Sequence, residues 1–256
     1  MILAIDIGNT NIVLGGIEDS EILFESRMAT DTAKTSDQYH LELRSMLGLF
    51  DVNIKALEGV IISSVVPQVL NSMHTAVIKM TGMDPIIIGP GIKTGLNVQV
   101  DNPKAVGSDL IVAAVAGMRY YGAPLMIVDM GTATTITVID ENRSFLGGCI
   151  CPGVRVSMDA LVGSAAQLPG ISLEAPKHAI GRNTVDCMRS GIMLGAAAML
   201  DGLLDRMEEE LGKKMQVVAT GGLSQFVVPM CRREIIYDKN LLLKGLDILF
   251  RNNVRP

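Results

Sequence analysis

Residues Ile2–Gly16 have the sequence ILAIDIGNTNIVLGG. It consists of an apolar strand, a short polar turn that contains a glycine, and a second apolar strand, which is the pattern of a β-hairpin. The sequence LMIVDMGTATTITVID, residues Leu125–Asp140, repeats this order. Asp6 and Asp129 occupy matching places in the two stretches and lie about half the chain length apart. We interpret the repeat as an internal duplication that gives two related α/β lobes with a cleft between them.

The composition predicts a globular protein. Hydrophobic residues make up 48% of the 256-residue chain and charged residues 19%, and the net charge is −5 without a basic block. Nucleic-acid and membrane binding are therefore not expected. No signal peptide is visible and no apolar run is judged long enough to span a bilayer, so we expect a cytoplasmic location. The cysteine spacings match no zinc or redox motif, and we expect reduced thiols at Cys149, Cys151, Cys187 and Cys231.

Hydrophobic periodicity predicts the same order of elements in both halves of the chain. In the first half the predicted strands are residues 2–6, 12–17, 21–28, 59–66 and 85–89, and the predicted helices are residues 37–49, 67–81 and 107–121. In the second half the predicted strands are residues 125–129, 135–140, 144–153 with a glycine-rich exit, and 216–222, and the predicted helices are residues 183–211 and a terminal helix.

The two turns that contain glycine are candidate phosphate-binding loops. Glycine accepts backbone angles that other residues avoid, so the N–H groups of such a turn can point together at an anion. Threonine and asparagine add neutral donors, and the aspartate that ends each strand can hold a cation beside the phosphate. An Asp-x-Gly turn without a function explains either turn alone at least as well. Two matched copies, together with ATGG at Ala219–Gly222, favour a site for a nucleotide polyphosphate.

Over its whole length the chain resembles type III pantothenate kinase, a family of the acetate and sugar kinase/Hsp70/actin superfamily. The motifs that carry the resemblance are DIGNTN (Asp6–Asn11), SSVVP (Ser63–Pro67), GPGIKTGL (Gly89–Leu96), DNPKAVGSD (Asp101–Asp109), VDMGTATT (Val128–Thr135), GGCICPG (Gly147–Gly153), GRNTV (Gly181–Val185) and ATGG (Ala219–Gly222). The resemblance implies an α/β fold of two duplicated ribonuclease H-like (actin-like ATPase) lobes, residues 1–115 and 116–256, with a nucleotide cleft between them.

The resemblance also implies a reaction, in which the γ-phosphate of ATP is transferred to the primary hydroxyl of pantothenate as the first step of coenzyme A synthesis. By similarity Asp6 would lie near Mg²⁺, Thr132 would contact ATP phosphate, and ATGG would lie beside the adenosine. Asp129 would hold the potassium or ammonium ion that the family uses. The implied ATP-binding residues are Asp6, Ile7, Gly8, Asn9, Thr10, Asn11, Ile12, Val13, Gly131, Thr132, Gly221 and Gly222.

Asp109 is implied to be the catalytic base that accepts the proton of the pantothenate hydroxyl. Without the resemblance, an acid in the first turn of a helix is better explained by the helix dipole. Thr184 would reach pantothenate from the partner subunit, since family members are homodimers. Gly191, Gly195 and Ala198 share one helix face, which suits close helix contact within one subunit or between two. The implied substrate-binding residues are Val100, Gly107, Ser108, Asp109, Leu110 and Thr184.

Two positions depart from the family pattern. Leu110 stands in place of the arginine of the family motif Gly-x-Asp-Arg, and Val100 stands in place of a tyrosine. An arginine supplies up to five hydrogen-bond donors, whereas leucine supplies none. Three functions therefore stay open: a pantothenate kinase with a differently filled pocket, a kinase of the same fold for another small alcohol, and a catalytically impaired nucleotide-binding regulatory paralogue. We favour the first because Asp109, Asp129 and Thr184 are retained.

Overall fold

The computed structural model describes residues 1–254, which form two compact units. The first unit consists of residues 1–96 and 101–119 together with the C-terminal segment that starts at Leu241. The second unit consists of residues 97–100 and 120–240. Each unit has its own sheet and its own buried apolar cluster, so each can be described as a folded body in its own right.

The helices and strands of the described chain lie close to their predicted positions. The strands are β1 (Ile2–Ile7), β2 (Asn11–Glu18), β3 (Glu21–Ala29), β4 (Gly59–Ser64), β5 (Ile86–Ile87), β6 (Asn97–Val98), β7 (Leu125–Met130), β8 (Ala133–Ile139), β9 (Ser144–Pro152), β10 (Gln216–Thr220) and β11 (Ile236–Tyr237). The helices are α1 (Ser36–Gly48), α2 (Pro67–Thr81), α3 (Ser108–Tyr121), α4 (Val154–Ser164), α5 (Thr184–Leu211), α6 (Ser224–Val227) and α7 (Leu241–Val254). The elements β6, α4, α6 and β11 are absent from the sequence-based prediction.

The sheet of the first unit has the strand order β3-β2-β1-β4-β5. Strands β1, β2 and β3 form an antiparallel meander, whereas β4 pairs parallel to β1 and β5 pairs parallel to β4. All six residues of β1 are buried, which is why its sequence is apolar on both faces apart from Asp6. The register places Val13 and Ser63 directly beside Asp6, one on each side.

The sheet of the second unit repeats this order as β11-β10-β7-β8-β9 and adds β6 at its edge. Strands β7, β8 and β9 are antiparallel, and β10 and β11 continue the sheet in parallel pairs. Asp129 is the fifth residue of β7, as Asp6 is of β1, and Thr135 and Thr220 lie directly beside it. The matching strand order and the matching aspartates confirm the internal duplication.

The C-terminal helix α7 packs on the sheet of the first unit. A Cβ atom on Gly15 would lie 2.8 Å from the Leu243 side chain, and one on Gly59 would lie 2.6 Å from the Phe250 ring. Glycine at these two strand positions therefore makes room for the helix. The second predicted lobe, residues 116–256, includes this helix. An amphipathic pattern predicts that a helix packs on a sheet but does not identify the sheet.

Helix α5 is the longest helix of the described chain and runs through the core of the second unit. Met193, Ala197, Leu200 and Leu204 are buried in that core. By length and mean hydropathy alone, α5 could also cross a membrane, with a third of the relevant window buried in the protein. The expectation that no apolar segment is long enough to span a bilayer is therefore wrong for this helix. Its buried residues belong to the apolar cluster of the second unit, which accounts for part of its apolar composition.

Candidate active site

The turn after β1 is held by backbone hydrogen bonds and by a threonine. The Gly8 N–H donates to the Asn11 carbonyl at 3.0 Å, and Thr30 Oγ1 donates to the Gly8 carbonyl at 2.6 Å. A Cβ atom on Gly8 would lie 3.1 Å from the Asn11 carbonyl oxygen, so a larger residue would strain the turn. Asn9, Thr10 and Asn11 are exposed. The turn therefore presents polar side chains at the carboxyl end of the central strand.

The turn after β7 is one residue shorter and is also closed by a hydrogen bond from its glycine. The Gly131 N–H donates to the Ala133 carbonyl at 2.9 Å, and the Gly153 N–H donates to the Thr132 carbonyl at 3.1 Å. A Cβ atom on Gly153 would lie 2.6 Å from the Gly131 carbonyl oxygen, so only glycine fits at this place. Both Gly131 and Thr132 are exposed. Gly153, which ends the GGCICPG motif, thus fixes the second turn.

Asp6 is a buried carboxylate, with only 8% of the residue exposed. Its pKa is raised to about 7, mainly by burial and to a smaller extent by the negative charge of Asp109, while a hydrogen bond with Ser63 opposes the rise. A carboxylate that has lost water without gaining a positive neighbour is stabilised strongly by a bound cation. The chemistry of Asp6 therefore fits a magnesium site.

Asp109 lies in the first turn of α3 and is half-buried. The Leu110 N–H donates to Asp109 Oδ1 at 2.8 Å, yet burial raises the pKa of Asp109 above its ordinary value. The Asp109 carboxylate occupies the space that a Cβ atom on Gly107 would need. Gly107 is thus required for the orientation of this carboxylate. A raised pKa makes Asp109 a stronger proton acceptor than an exposed aspartate, which suits a general base.

Ser108 fastens the start of α3 to β4. Its Oγ accepts a hydrogen bond from the Ser64 N–H at 3.0 Å and lies 2.9 Å from the Ser64 carbonyl. The same oxygen lies 3.0 Å from Ser63 Oγ. Ser108 was expected among the substrate-binding residues, but in this structure its hydroxyl is engaged with β4.

Gly221, just after β10, lies against Asp129. Its φ of 92° is in the left-handed region that favours glycine, and a Cβ atom there would lie 2.6 Å from Asp129 Oδ1. Asp129 also has Thr135 and Thr220 beside it in the sheet. Gly222 follows and is exposed. The first glycine of ATGG therefore shapes the space around the second aspartate.

The remaining predicted substrate residues, Val100, Leu110 and Thr184, belong to different parts of the sequence. Val100 belongs to the second unit, and its Cγ1 would lie 3.8 Å from a Cβ atom on Gly147 in β9. Leu110 is half-buried in α3 of the first unit. Thr184 is the exposed first residue of α5, after the helix cap Asn183. Val100 follows β6 in the second unit, Leu110 lies in α3 of the first unit, and Thr184 begins α5 of the second unit.

Within each unit the structure brings one set of predicted residues together. In the first unit the set comprises Asp6, the turn at Gly8, and Asp109 with Gly107 and Ser108. In the second unit it comprises Asp129, the turn at Gly131 and Gly221. Residues that hold these sets but were not predicted as site residues are Thr30, Ser63 and Gly153.

The metal-binding potential outside these sets is small. Within residues 1–254 no group of three or more His, Cys, Asp and Glu side chains is arranged to hold a metal ion. All four cysteines are free thiols, which agrees with the expectation from their spacing. Burial raises the pKa of Cys149 and that of Cys231 to about 11, so both thiols stay protonated at neutral pH.

The chain is similar to known proteins over almost its whole length. A family profile described as type III pantothenate kinase matches residues 2–206. The type III pantothenate kinase of Halalkalibacterium halodurans is 42% identical over 254 residues, which covers 99% of this chain and 100% of the relative. The enzyme of the same name from Exiguobacterium sibiricum is 45% identical over 253 residues, which covers 99% of this chain and 100% of the relative.

Solved structures that are more distant in sequence share the fold. The activator of 2-hydroxyisocaproyl-CoA dehydratase from Clostridium difficile, solved with bound ADPNP, superposes with a TM-score of 0.56 at 14% identity, covering 100% of this chain and 98% of that one. Component A of (R)-2-hydroxyglutaryl-CoA dehydratase from Acidaminococcus fermentans gives a TM-score of 0.57 at 14% identity, covering 96% and 94%. At this identity the likeness concerns the fold alone, and it confirms the predicted actin-like α/β class.

Proposed function

The chain belongs to the type III pantothenate kinase family, and from this we infer the roles of its two turns, of Asp109 and of Asp129. The protein is an ATP-dependent kinase that phosphorylates pantothenate to 4′-phosphopantothenate in coenzyme A biosynthesis. The two relatives cover this chain from end to end, so the family function is favoured over a kinase for another alcohol or an inactive paralogue.

ATP and a divalent metal are the co-reactants of such a kinase. We propose that the turn of residues 6–13 and the turn at Gly131 and Thr132 bind the ATP phosphates, with Gly221 and Gly222 beside the adenosine. Asp6 would hold Mg²⁺ together with the phosphates, which its burial and raised pKa support. Bound Mg²⁺ neutralises the negative charge that develops on the transferred phosphoryl group.

The base in the proposed mechanism is Asp109. Its carboxylate accepts the proton of the primary hydroxyl of pantothenate while that oxygen forms a bond to the γ-phosphorus. The bond between the γ-phosphorus and the bridging oxygen breaks, and ADP leaves with the electron pair. The observation that carries this assignment is the half-buried Asp109 carboxylate beside Gly107, with a pKa raised by burial. Orientation and charge neutralisation supply most of the remaining rate enhancement.

The monovalent cation, potassium or ammonium, is proposed to bind at Asp129. Thr135 lies directly beside Asp129 on the neighbouring strand. Its Oγ1 is buried and has no hydrogen-bond partner among residues 1–254. A carboxylate with a hydroxyl oxygen next to it offers the oxygen ligands that hard cations prefer.

A homodimer is proposed, with Thr184 of each subunit reaching the pantothenate of the other. Gly191, Gly195 and Ala198 form an exposed stripe on α5. A Cβ atom on either of these two glycines would meet no described atom outside the helix within 4 Å, so the stripe has room for a closely packed partner helix. A cytoplasmic location is proposed as well, because the two relatives are bacterial enzymes of coenzyme A synthesis.

The function is tested by assaying the purified protein with ATP, Mg²⁺ and pantothenate in potassium, ammonium and sodium buffers. We expect 4′-phosphopantothenate to form, faster with potassium or ammonium, and the Asp109→Asn variant to lose at least about 100-fold in kcat. No product from a folded protein with all ions present would contradict the kinase assignment. Formation of product by Asp109→Asn at the wild-type rate would contradict the role of Asp109 alone.

The substrate side of the proposal concerns Val100 and Leu110. We propose that both lie around pantothenate, where the family has tyrosine and arginine. We expect Leu110→Arg to change the KM for pantothenate while leaving the KM for ATP within about twofold, because the nucleotide turns are in other elements. An equal change in both KM values would place Leu110 outside the pantothenate site. Products formed from other primary alcohols, but not from pantothenate, would favour the alternative substrate.

A further inference from the structure

Ser63 is a buried hydroxyl beside Asp6 in the sheet of the first unit. The residue is 0% exposed, although the strand that carries it is otherwise apolar up to this point. The strand register places Ser63 directly beside Asp6, whose pKa it lowers, and the Oγ of Ser63 lies 3.0 Å from the Oγ of Ser108. Ser108 immediately precedes Asp109 in α3. A short polar chain therefore runs from Asp6 through Ser63 and Ser108 to the backbone that carries Asp109.

The hydroxyl and amide protons of this polar series can be assigned to acceptors. Each hydroxyl has one proton to donate and can accept from other donors. When Ser63 donates to Asp6, Ser108 donates either to Ser63 Oγ or to the Ser64 carbonyl, and the Ser64 N–H donates to Ser108 Oγ. The donors around Ser108 therefore each have an acceptor within 3.0 Å. A buried polar group that is fully satisfied in this way specifies one arrangement of its neighbours.

We propose that Ser63 and Ser108 are positioning residues for phosphoryl transfer. Ser63 holds the Asp6 carboxylate, and through Ser108 it fixes where the first turn of α3 begins on β4, so the two acidic groups keep one spacing. The inference rests on the proposed role of Asp109 as the base. Ser63 and Ser108 act through Asp6 and Asp109 and do not themselves contact the reacting atoms.

Ser64 offers a matched control. It is the next residue in β4, but its hydroxyl bonds locally, since Oγ accepts from the Val66 N–H at 3.1 Å and lies 3.2 Å from the Val66 carbonyl. Only the backbone of Ser64 contacts Ser108, and Ser64→Ala keeps that backbone. Ser64→Ala therefore removes a hydroxyl of the same kind from the same strand without breaking the chain between Asp6 and Ser108.

The experiment is steady-state kinetics of the full-length protein with Mg-ATP and pantothenate. We expect Ser63→Ala to lower kcat about 10- to 100-fold while both KM values stay within about threefold, because orientation affects the chemical step more than binding. We expect Ser64→Ala to keep the wild-type kcat. A kcat for folded Ser63→Ala within twofold of wild type would overturn the proposal, as would an equal loss in Ser64→Ala.

If Ser63→Ala does not fold, Ser108→Ala and Ser108→Thr test the positioning role instead. Ser108→Ala removes the hydroxyl at the helix end of the chain, whereas Ser108→Thr keeps it. We expect Ser108→Ala to lose kcat and Ser108→Thr to recover most of it at equal thermal stability. Equal kcat values for these two variants would overturn the proposal. If the wild-type protein does not phosphorylate pantothenate, both the proposed function and this positioning role are rejected. If the wild-type protein is active and the serine variants are equally active, only the positioning role is rejected.

Discussion

The carboxylate of Asp109 occupies the space in which a side chain on Gly107 would begin. The Gly-x-Asp spacing of the motif thus has a steric cause, since the aspartate folds back over the residue two places before it. Val65 borders the same space, because its Cγ1 would lie 3.6 Å from a Cβ atom on Gly107. One added methyl group must therefore displace either the carboxylate or the backbone of the preceding loop.

We expect Gly107→Ala to lower kcat for pantothenate phosphorylation about 10- to 100-fold, because the displaced Asp109 carboxylate no longer faces the substrate hydroxyl. Thermal stability is expected to change little, since the Asp109 side chain can rotate away. Kinetics and thermal unfolding of the same preparation measure both effects. Gly48→Ala is the matched control, because a Cβ atom there meets nothing within 4 Å. A Gly107→Ala variant with wild-type kcat would show that the Asp109 orientation seen here is not required.

Asp6 is expected to reduce the stability of the metal-free protein at neutral pH. Its pKa is raised by burial to about 7, so the folded state favours the protonated form. The stabilisation that accompanies protonation is present below about pH 4 and is lost as the pH rises through 7. In EDTA at pH 8 we therefore expect Asp6→Asn to increase the free energy of unfolding by roughly 1–3 kcal/mol while abolishing kinase activity.

Urea unfolding at pH 8 and at pH 4.5 separates this effect from a general gain in packing. The difference between Asp6→Asn and wild type should shrink at the lower pH, where wild-type Asp6 is protonated. Asp101→Asn, at an exposed aspartate, controls for the loss of one negative charge. A stability gain that is the same at both pH values would argue against the titration of Asp6 as its cause.

Glu208 is expected to contribute strongly to the stability of the second unit. Burial alone would raise its pKa, but hydrogen bonds from Arg233 at 2.6 Å, Lys214 at 2.8 Å and the Met215 N–H at 2.9 Å lower the pKa to about 2. The resulting stabilisation is present above pH 4.5 and is lost as the pH falls through 2. We expect Glu208→Gln to cost roughly 2–3 kcal/mol at pH 7.

The adjacent Glu209 supplies the control for this prediction, because it is exposed and Glu209→Gln makes the same chemical change. We expect Glu209→Gln to leave the unfolding free energy within about 0.5 kcal/mol of wild type. The cost of Glu208→Gln should decrease as the pH falls from 4.5 toward 2. A cost that does not depend on pH would mean that the ion pairs of Glu208 contribute no net stability.

The glycine stripe of α5 predicts the oligomeric state. We expect Gly195→Leu to convert a dimer into a monomer in sedimentation analysis, because leucine keeps two helices further apart. Activity should fall with it, since Thr184 is proposed to act across the interface. Gly163→Leu places the same side chain on α4 at another open glycine and should leave the assembly intact. A Gly195→Leu variant that stays dimeric would place the interface elsewhere.

The sequence was sufficient to predict features that depend on local pattern. Matching Asp-x-Gly turns at Asp6 and Asp129 predicted the duplication, and the apolar runs predicted most strands and helices within two residues. The α2 segment was predicted in full because Pro67 marks its start and Gly82, with a φ of 74°, follows its last turn. These signals act over a few residues and need no knowledge of the tertiary structure.

Features that depend on distant contacts could not be predicted in the same way. Strand β6 has two residues and exists only through its pairing with β9. The partner sheet of α7 depends on the room left by Gly15 and Gly59. The importance of Ser63 emerges only from the register of β1 and β4, which places it beside Asp6. Each of these facts joins residues that are far apart in the chain.

The position of α7 also has a consequence for biosynthesis. Its buried face, which includes Leu243, Leu246 and Leu249, joins Ile2 and Ala4 in one apolar cluster, so β1 packs against a helix that lies far later in the sequence. During translation that face of the first sheet therefore stays uncovered until the ribosome has released residues 241–254.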